Sequence, residues 1–162
     1  MSIKKIITGL TLSILLGSGV AVAADYDKGL LAYNSGDFKT ALAEWKPLAK
    51  QGHAMAQSDL GFMYNDGIGV LENDKTAVKW YTLAAEQGHG WAQSNLGAMY
   101  ETGEGVLTDT KRAYMWLNLS SYNGNKIGGE NKDKIAKQMT PADISKAQDM
   151  SSACLESNYT DC

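Results

Sequence analysis

The sequence predicts an all-α fold: a right-handed α-solenoid of antiparallel helix pairs, closed by a C-terminal capping helix. The first observation behind this prediction is an internal repeat, AQSDLGFMYNDGIGV at residues 56–70 and AQSNLGAMYETGEGV at residues 92–106. The second is that apolar residues recur at helical spacing, with no strand-like alternation. Repeats of this length are typical of stacked helix pairs, because one pair alone cannot bury its apolar face.

The chain begins with the features of a secretory signal peptide, which we assign to residues 1–23. Lys4 and Lys5 precede an apolar run over 6–16, and small residues end at Ala21-Val22-Ala23. Cleavage is predicted after Ala23, with Ala24 as the second choice. The apolar run is shorter than the roughly 20 residues of a membrane span, so we expect no membrane span after cleavage. An uncleaved anchor is the alternative.

The charge of the chain argues against two classes of partner. The net charge is −3 for the whole sequence and −5 without the two signal-peptide lysines. This balance offers no electrostatic attraction for nucleic acid or for an anionic membrane surface.

From the signal peptide we predict that the protein is exported to the periplasm or secreted.

The elements are predicted in order along the remaining chain. A first repeat, residues 24–53, contains an amphipathic helix at 39–50. The second repeat, residues 54–89, has a helix near 54–65, and then a helix that starts at Asn73 or Asp74 as N-cap. Gly61 lies within the first of these helices, where glycine lowers stability by about 0.5–1 kcal/mol relative to alanine, so it predicts close approach by another helix. Gly67 is placed to end that helix.

The last two segments of the chain are predicted to be a third repeat and a C-terminal cap. Residues 90–125 repeat the pattern, with a first helix near 90–101, and depart from it at Ser120, Ser121 and Tyr122. Residues 126–162 are predicted to form a helical cap. Its helices are expected at 130–139 and 141–158, the latter starting with Thr140 as N-cap and a proline at the first helical position.

Both cysteines, Cys154 and Cys162, lie in this cap. Two cysteines in an oxidising compartment favour a disulfide, here one that would clamp the tail. The chain-entropy model gives roughly 2–3 kcal/mol for such a short loop. They do not form a C-x-x-C motif, so a thioredoxin-like redox role is not expected. Reduced thiols or an intermolecular bond are the alternatives.

The repeated motif A-x-Q-x-x-L-G-x-M-Y-x-x-G-x-G-V, followed by K-x-A-x-x-W-x-x-x-A-A-x-Q-G, resembles the Sel1-like repeat, a relative of the tetratricopeptide repeat. Residues 54–88 match it almost fully, and residues 90–124 match it through Trp116. Residues 25–53 look tetratricopeptide-like, with Gly36-Asp37-Phe38 at the turn. The resemblance implies a protein-binding solenoid of the kind often found in bacterial envelopes.

The sequence gives little support for a phosphate-binding loop, a metal site or a catalytic serine. Gly67-x-Gly69 follows a helix instead of a strand, and the second copy carries Glu104 in the loop, so a phosphate loop is disfavoured. His53 and His89 have no partners at metal-ligand spacing, and we predict no metal and no cofactor. The only Ser-x-x-Lys, at residues 2–5, lies in the signal peptide, so no catalytic residue is assigned.

Positions that differ between the two copies are the best candidates for a partner site, because the repeat itself does not require them. The resemblance implies that the first helix of each pair lines a concave groove. The predicted groove residues are Met55, Ser58, Phe62, Asn65, Trp91, Ser94 and Glu101. Apolar members of this set suit a helix or an extended segment of another protein. Packing between repeats is the alternative role for them.

The predicted function is therefore that of a non-enzymatic adaptor, periplasmic or secreted, that binds a protein partner or an envelope component. The alternatives are a cell-wall enzyme or its regulatory subunit, and a secreted factor that acts on a host.

Overall fold

The computed structural model describes residues 24–160 and 162, so the predicted signal peptide lies outside the described residues. These residues form helices and loops, with no strand among them. The helices are α1 (Tyr26–Asn34), α2 (Phe38–Lys50), α3 (Ala54–Asn65), α4 (Asp74–Ala85), α5 (Gly90–Thr102), α6 (Thr110–Tyr122), α7 (Lys126–Ala136) and α8 (Pro141–Glu156). The predicted all-α solenoid is confirmed.

From α1 to α7, each helix packs on the next one along the chain, and α8 packs on α6. The core of the described residues consists of three apolar clusters. The first lies among α1, α2 and α3, the second among α4, α5, α6 and α8, and the third among α6, α7 and α8. No helix in the described part of the chain is long and apolar enough to cross a membrane.

Glycines bring the two helices of a pair together, as Gly61 predicted. A Cβ atom at Gly61 would lie 2.7 Å from the Tyr81 ring of α4, and one at Gly97 would lie 2.8 Å from Leu117 Cγ of α6. Gly29 makes an equally close approach to Trp45, so the first helix pair has the same kind of glycine contact. These three large side chains are almost fully buried.

The glycine-rich loops, which contain Gly67-x-Gly69 and Gly103-x-Gly105, pack against the preceding repeat. Gly67 has a φ of +67°, which confirms it as the residue where the chain leaves the helix. A Cβ atom at Gly69 would meet Phe38, and one at Gly105 would meet Asp74, both at 2.5 Å. Phe38 and Asp74 are the first residues of α2 and α4. The loop glycines therefore serve the contact between neighbouring pairs.

A buried glutamine links the pairs with polar contacts. Gln57 Nε2 donates to the Ala49 carbonyl at 2.9 Å, while its Oε1 accepts from the Gln87 side chain at 2.6 Å. Gln93 makes the corresponding two bonds one repeat later. A buried amide of this kind needs both partners, since an unpaired one lowers stability.

The start of α7 corrects the sequence prediction. The helix runs from Lys126 to Ala136, although the glycines at 128 and 129 had suggested a start at Glu130. Asn125 caps it, its side chain accepting from the Gly128 N–H at 3.0 Å. Gly128 is buried against Ser120 of α6, so glycine is required there for the close approach of α7.

The tail folds back on the last helices. Thr140 caps α8 as predicted, but the helix ends at Glu156 because Asn158 and Tyr159 have φ values of 52° and 64°. Cys154 is buried in the core and forms a disulfide with Cys162, with the Cα atoms 4.8 Å apart. The Tyr159 hydroxyl hydrogen-bonds the Asn123 side chain, which holds the turn against the end of α6.

Candidate functional site

A cavity of about 250 Å³ lies where the first helices of the three pairs meet. We call it the α1/α3/α5 cavity. Its lining residues are Leu30, Tyr33 and Asn34 of α1, Trp45 of α2, Asp59 and Phe62 of α3, and Trp91 of α5. The described surface also has larger, more polar hollows, such as the one of about 430 Å³ around residues 108–111 and 138–143.

Helical spacing places the cavity residues on common faces. Asp59 and Phe62 are three residues apart on α3, and Leu30 and Tyr33 have the same spacing on α1, so each pair projects in one direction. Trp91 is at the start of α5, and 43% of its surface is exposed. The Trp45 indole forms the floor, fixed by its N–H bond to the Tyr26 carbonyl at 3.2 Å.

Asp59 is the charged group of the cavity. Its carboxylate accepts a hydrogen bond from the Tyr26 hydroxyl at 2.7 Å. Burial raises the pKa of Asp59, and the Tyr26 hydrogen bond and the nearby His53 oppose that rise. Burial and the bond to Asp59 raise the pKa of Tyr26 in turn. The site thus combines aromatic surface with one partly desolvated carboxylate.

The structure brings together two of the predicted groove residues, Phe62 and Trp91. Met55 is 46% exposed on α3 but does not line the cavity. Asn65 and Glu101 are half-buried near the ends of α3 and α5, also away from it.

Ser58 and Ser94 require a correction to the predicted groove. Their side chains are 1% and 5% exposed, so they are covered by neighbouring helices and offer no surface to a partner. The prediction placed these serines on the groove face because of their helical spacing. They lie instead on the face that packs against other helices. We leave both serines out of the candidate site.

Sequence comparison missed Leu30, Tyr33 and Asn34, because they lie in the divergent first pair. It also missed Asp59, although a signal was present: the second copy has Asn95 at the equivalent position. Asp59 is thus another position where the two copies differ.

The histidines have a structural role. His53 and His89 are the N-caps of α3 and α5, and their Nδ1 atoms accept from the backbone N–H groups of Ala56 and Ala92 at 3.2 and 3.3 Å. Burial lowers the pKa of His89. Among the described residues, no three His, Cys, Asp or Glu side chains come together as a group that could hold a metal ion.

The fold and the cavity define an α-solenoid of short helix pairs with an aromatic hollow on the face of its first helices. Residues 54–89 and 92–125 match the family model of the Sel1 repeat, so the chain contains two adjacent Sel1 repeats. No curated protein sequence matches it.

Solved structures that are similar to this chain include the following two. One is c5321, a protective antigen present in uropathogenic Escherichia coli strains that displays an SLR fold, with 28% identity and a TM-score of 0.77. The match covers 83% of this chain and 30% of that one. The other is a Sel1 repeat protein from Oxalobacter formigenes, with 29% identity and a TM-score of 0.64, covering 67% of this chain and 44% of that one. This chain therefore spans less than half the length of either protein.

Proposed function

We propose that this protein is a non-enzymatic adaptor of the periplasm, or a secreted one, that binds another protein through the α1/α3/α5 cavity. The observation that carries the proposal is that Phe62 and Trp91, which the repeat does not require, line one hollow with Leu30 and Tyr33. Exposed aromatic surface around a pocket is typical of protein interfaces, where Trp and Tyr contribute much of the binding energy.

The remaining parts of the proposal have separate support. The disulfide between Cys154 and Cys162 favours an oxidising compartment, since such bonds are rare in the cytosol. The use of His53 and His89 as helix caps favours a scaffold over a catalyst. Sel1 repeats in general point to protein partners.

Affinity capture from the periplasmic extract of the source organism tests the proposal. Wild-type protein is compared with Phe62→Ala plus Trp91→Ala. The matched control is Leu83→Ala plus Tyr122→Ala, which removes exposed apolar side chains from the second helices. We expect one reproducible partner that the control retains and the cavity variant loses. Trp91→Ala alone is included because its side chain is partly exposed, so its removal disturbs the fold least.

Three outcomes contradict the proposal. An unchanged partner list for folded cavity variants, verified by circular dichroism, removes the cavity as the binding site. Turnover of cell-wall material by the purified protein contradicts the non-enzymatic role. Retention of the mature protein in the cytoplasmic fraction contradicts the compartment.

A further inference from the structure

The α1/α3/α5 cavity combines three features that together select one kind of occupant. Its walls are aromatic and aliphatic, its charged lining group is the carboxylate of Asp59, and within the described residues no Lys, Arg or His lines it. We propose that the cavity takes a cationic side chain, an arginine or a lysine, presented by the protein partner. This inference rests on the proposed function and specifies the partner's chemistry at that site.

Asp59 is positioned to receive a donor. A carboxylate offers about four lone-pair sites, and the Tyr26 hydroxyl uses one of them at 2.7 Å. That bond, with the Tyr26 ring stacked on His53 at 5.1 Å and on Trp45 at 5.9 Å, fixes the carboxylate in place before a partner arrives. A fixed acceptor makes a stronger charge-assisted hydrogen bond, because less freedom is lost on binding.

The aromatic rings suit the rest of a cationic side chain. The faces of Trp91, Tyr33 and Phe62 carry the negative part of the ring quadrupole, which attracts a guanidinium or ammonium group. The apolar stem of Arg or Lys can lie along Leu30 and the rings while its head reaches Asp59.

The electrostatic environment favours a positive occupant. Burial raises the pKa of Asp59, so the ionised carboxylate is destabilised in the empty cavity and gains from an incoming cation. The pKa of Tyr33 is also raised, first by burial and then by the charges of Asp66 and Asp59. Two carboxylates, those of Asp59 and Asp66, therefore act on the Tyr33 side of the cavity.

The size of the cavity fits one side chain better than a cofactor. Small-molecule sites are typically about 300–1,000 Å³, and this cavity is about 250 Å³. Trp91, which lines the cavity, is partly exposed to solvent and so is accessible to an inserted side chain.

The test uses small probes and the full mature protein. N-acetyl-arginine amide and N-acetyl-lysine amide are titrated against N-acetyl-norleucine amide, a neutral probe with a similar stem. Binding is followed by the NMR signal of the Trp91 indole N–H, assigned with Trp91→Phe. The variants are Asp59→Asn, which puts the residue of the second copy into the first, and Asp149→Asn, an exposed control on α8.

We expect the cationic probes to shift the Trp91 signal in the wild type and in Asp149→Asn, while norleucine amide gives little shift. Asp59→Asn should weaken arginine binding about tenfold or more, because a hydrogen bond to a charged group is lost. Equal binding of norleucine amide, equal binding by Asp59→Asn, or no shift by any probe would each overturn the inference.

The same variants separate this inference from the proposed function. If the captured partner is lost with Phe62→Ala plus Trp91→Ala but retained by Asp59→Asn, the cavity binds the partner and the cationic occupant is wrong. If no cavity variant loses the partner, the proposed function itself fails. Asp59→Asn should fold at least as stably as the wild type at neutral pH, since it removes a partly buried charge.

Discussion

The two Sel1 repeats share one framework and end differently. In the first, α4 presents Ala84 and Ala85 to the next pair, and both are fully buried. In the second, α6 has Ser120 and Ser121 at the equivalent positions. The Ser120 hydroxyl donates to the Gly90 carbonyl at 2.6 Å, and Gly128 of α7 packs against it. The departure from the repeat pattern is thus the point where the solenoid changes from stacking another repeat to accepting a cap.

The two copies also differ in the first helix of each pair. The framework residues Gly61 and Gly97 have the same role, whereas Asp59 and Phe62 of the first copy face a cavity and their counterparts, Asn95 and Ala98, do not line it. Identical positions therefore maintain the stack, and divergent positions are free to serve a partner. The predictions below test this division.

The largest expected effect concerns the shared framework. Gly61→Ala and Gly97→Ala should each lower the free energy of unfolding by about 1–3 kcal/mol, because the new Cβ atom overlaps the Tyr81 ring or Leu117. Urea denaturation measures the change. The control is Ala43→Gly on the exposed side of α2. It measures the intrinsic helix preference of alanine over glycine at a position without such a contact. A stabilising result at either glycine would show that the two copies do not share the contact.

A smaller effect is expected where the copies differ. Ser120→Ala should lower the free energy of unfolding by about 0.5–1.5 kcal/mol, because the partly buried hydrogen bond from its hydroxyl to the Gly90 carbonyl is lost. Hydrogen exchange should show the loss of protection concentrated in α7. Ser152→Ala, exposed on α8, is the control. Unchanged protection of α7 would mean that the serine is not what attaches the cap.

The smallest effect is a pH dependence. Burial lowers the pKa of His89, so the unfolded chain binds the proton more readily. The contribution of His89 to stability should be complete above its ordinary pKa, about 6.5, and should decrease as the pH falls toward its folded-state pKa. Denaturation between pH 8 and 5 should show that His89→Asn, which can still cap α5, lacks this decrease.

His53→Asn replaces the equivalent cap of the first copy and provides the comparison for His89→Asn. A pH response that persists unchanged in His89→Asn would assign it to another group.

The candidate site was only partly predictable from the sequence. Comparing the copies identified Phe62 and Trp91, since a repeat makes divergence visible at fixed offsets. It could not identify Leu30 and Tyr33, because the first pair has a shorter loop and no clear register with the others. It included Ser58 and Ser94 wrongly, because helical spacing alone does not show which neighbours cover a face.

The sequence by itself determined the repeating helix pairs, the N-caps at Asn73 and Thr140, and the close helix approach at Gly61. These features depend on local hydrogen bonds and on a periodicity repeated along the chain, so they can be read without knowledge of the whole. The tertiary structure decided which side chains meet around Asp59. That grouping depends on the angle and offset between successive pairs, which are set by packing among Gln57, Gly69 and their neighbours and bring α1, α3 and α5 to one cavity.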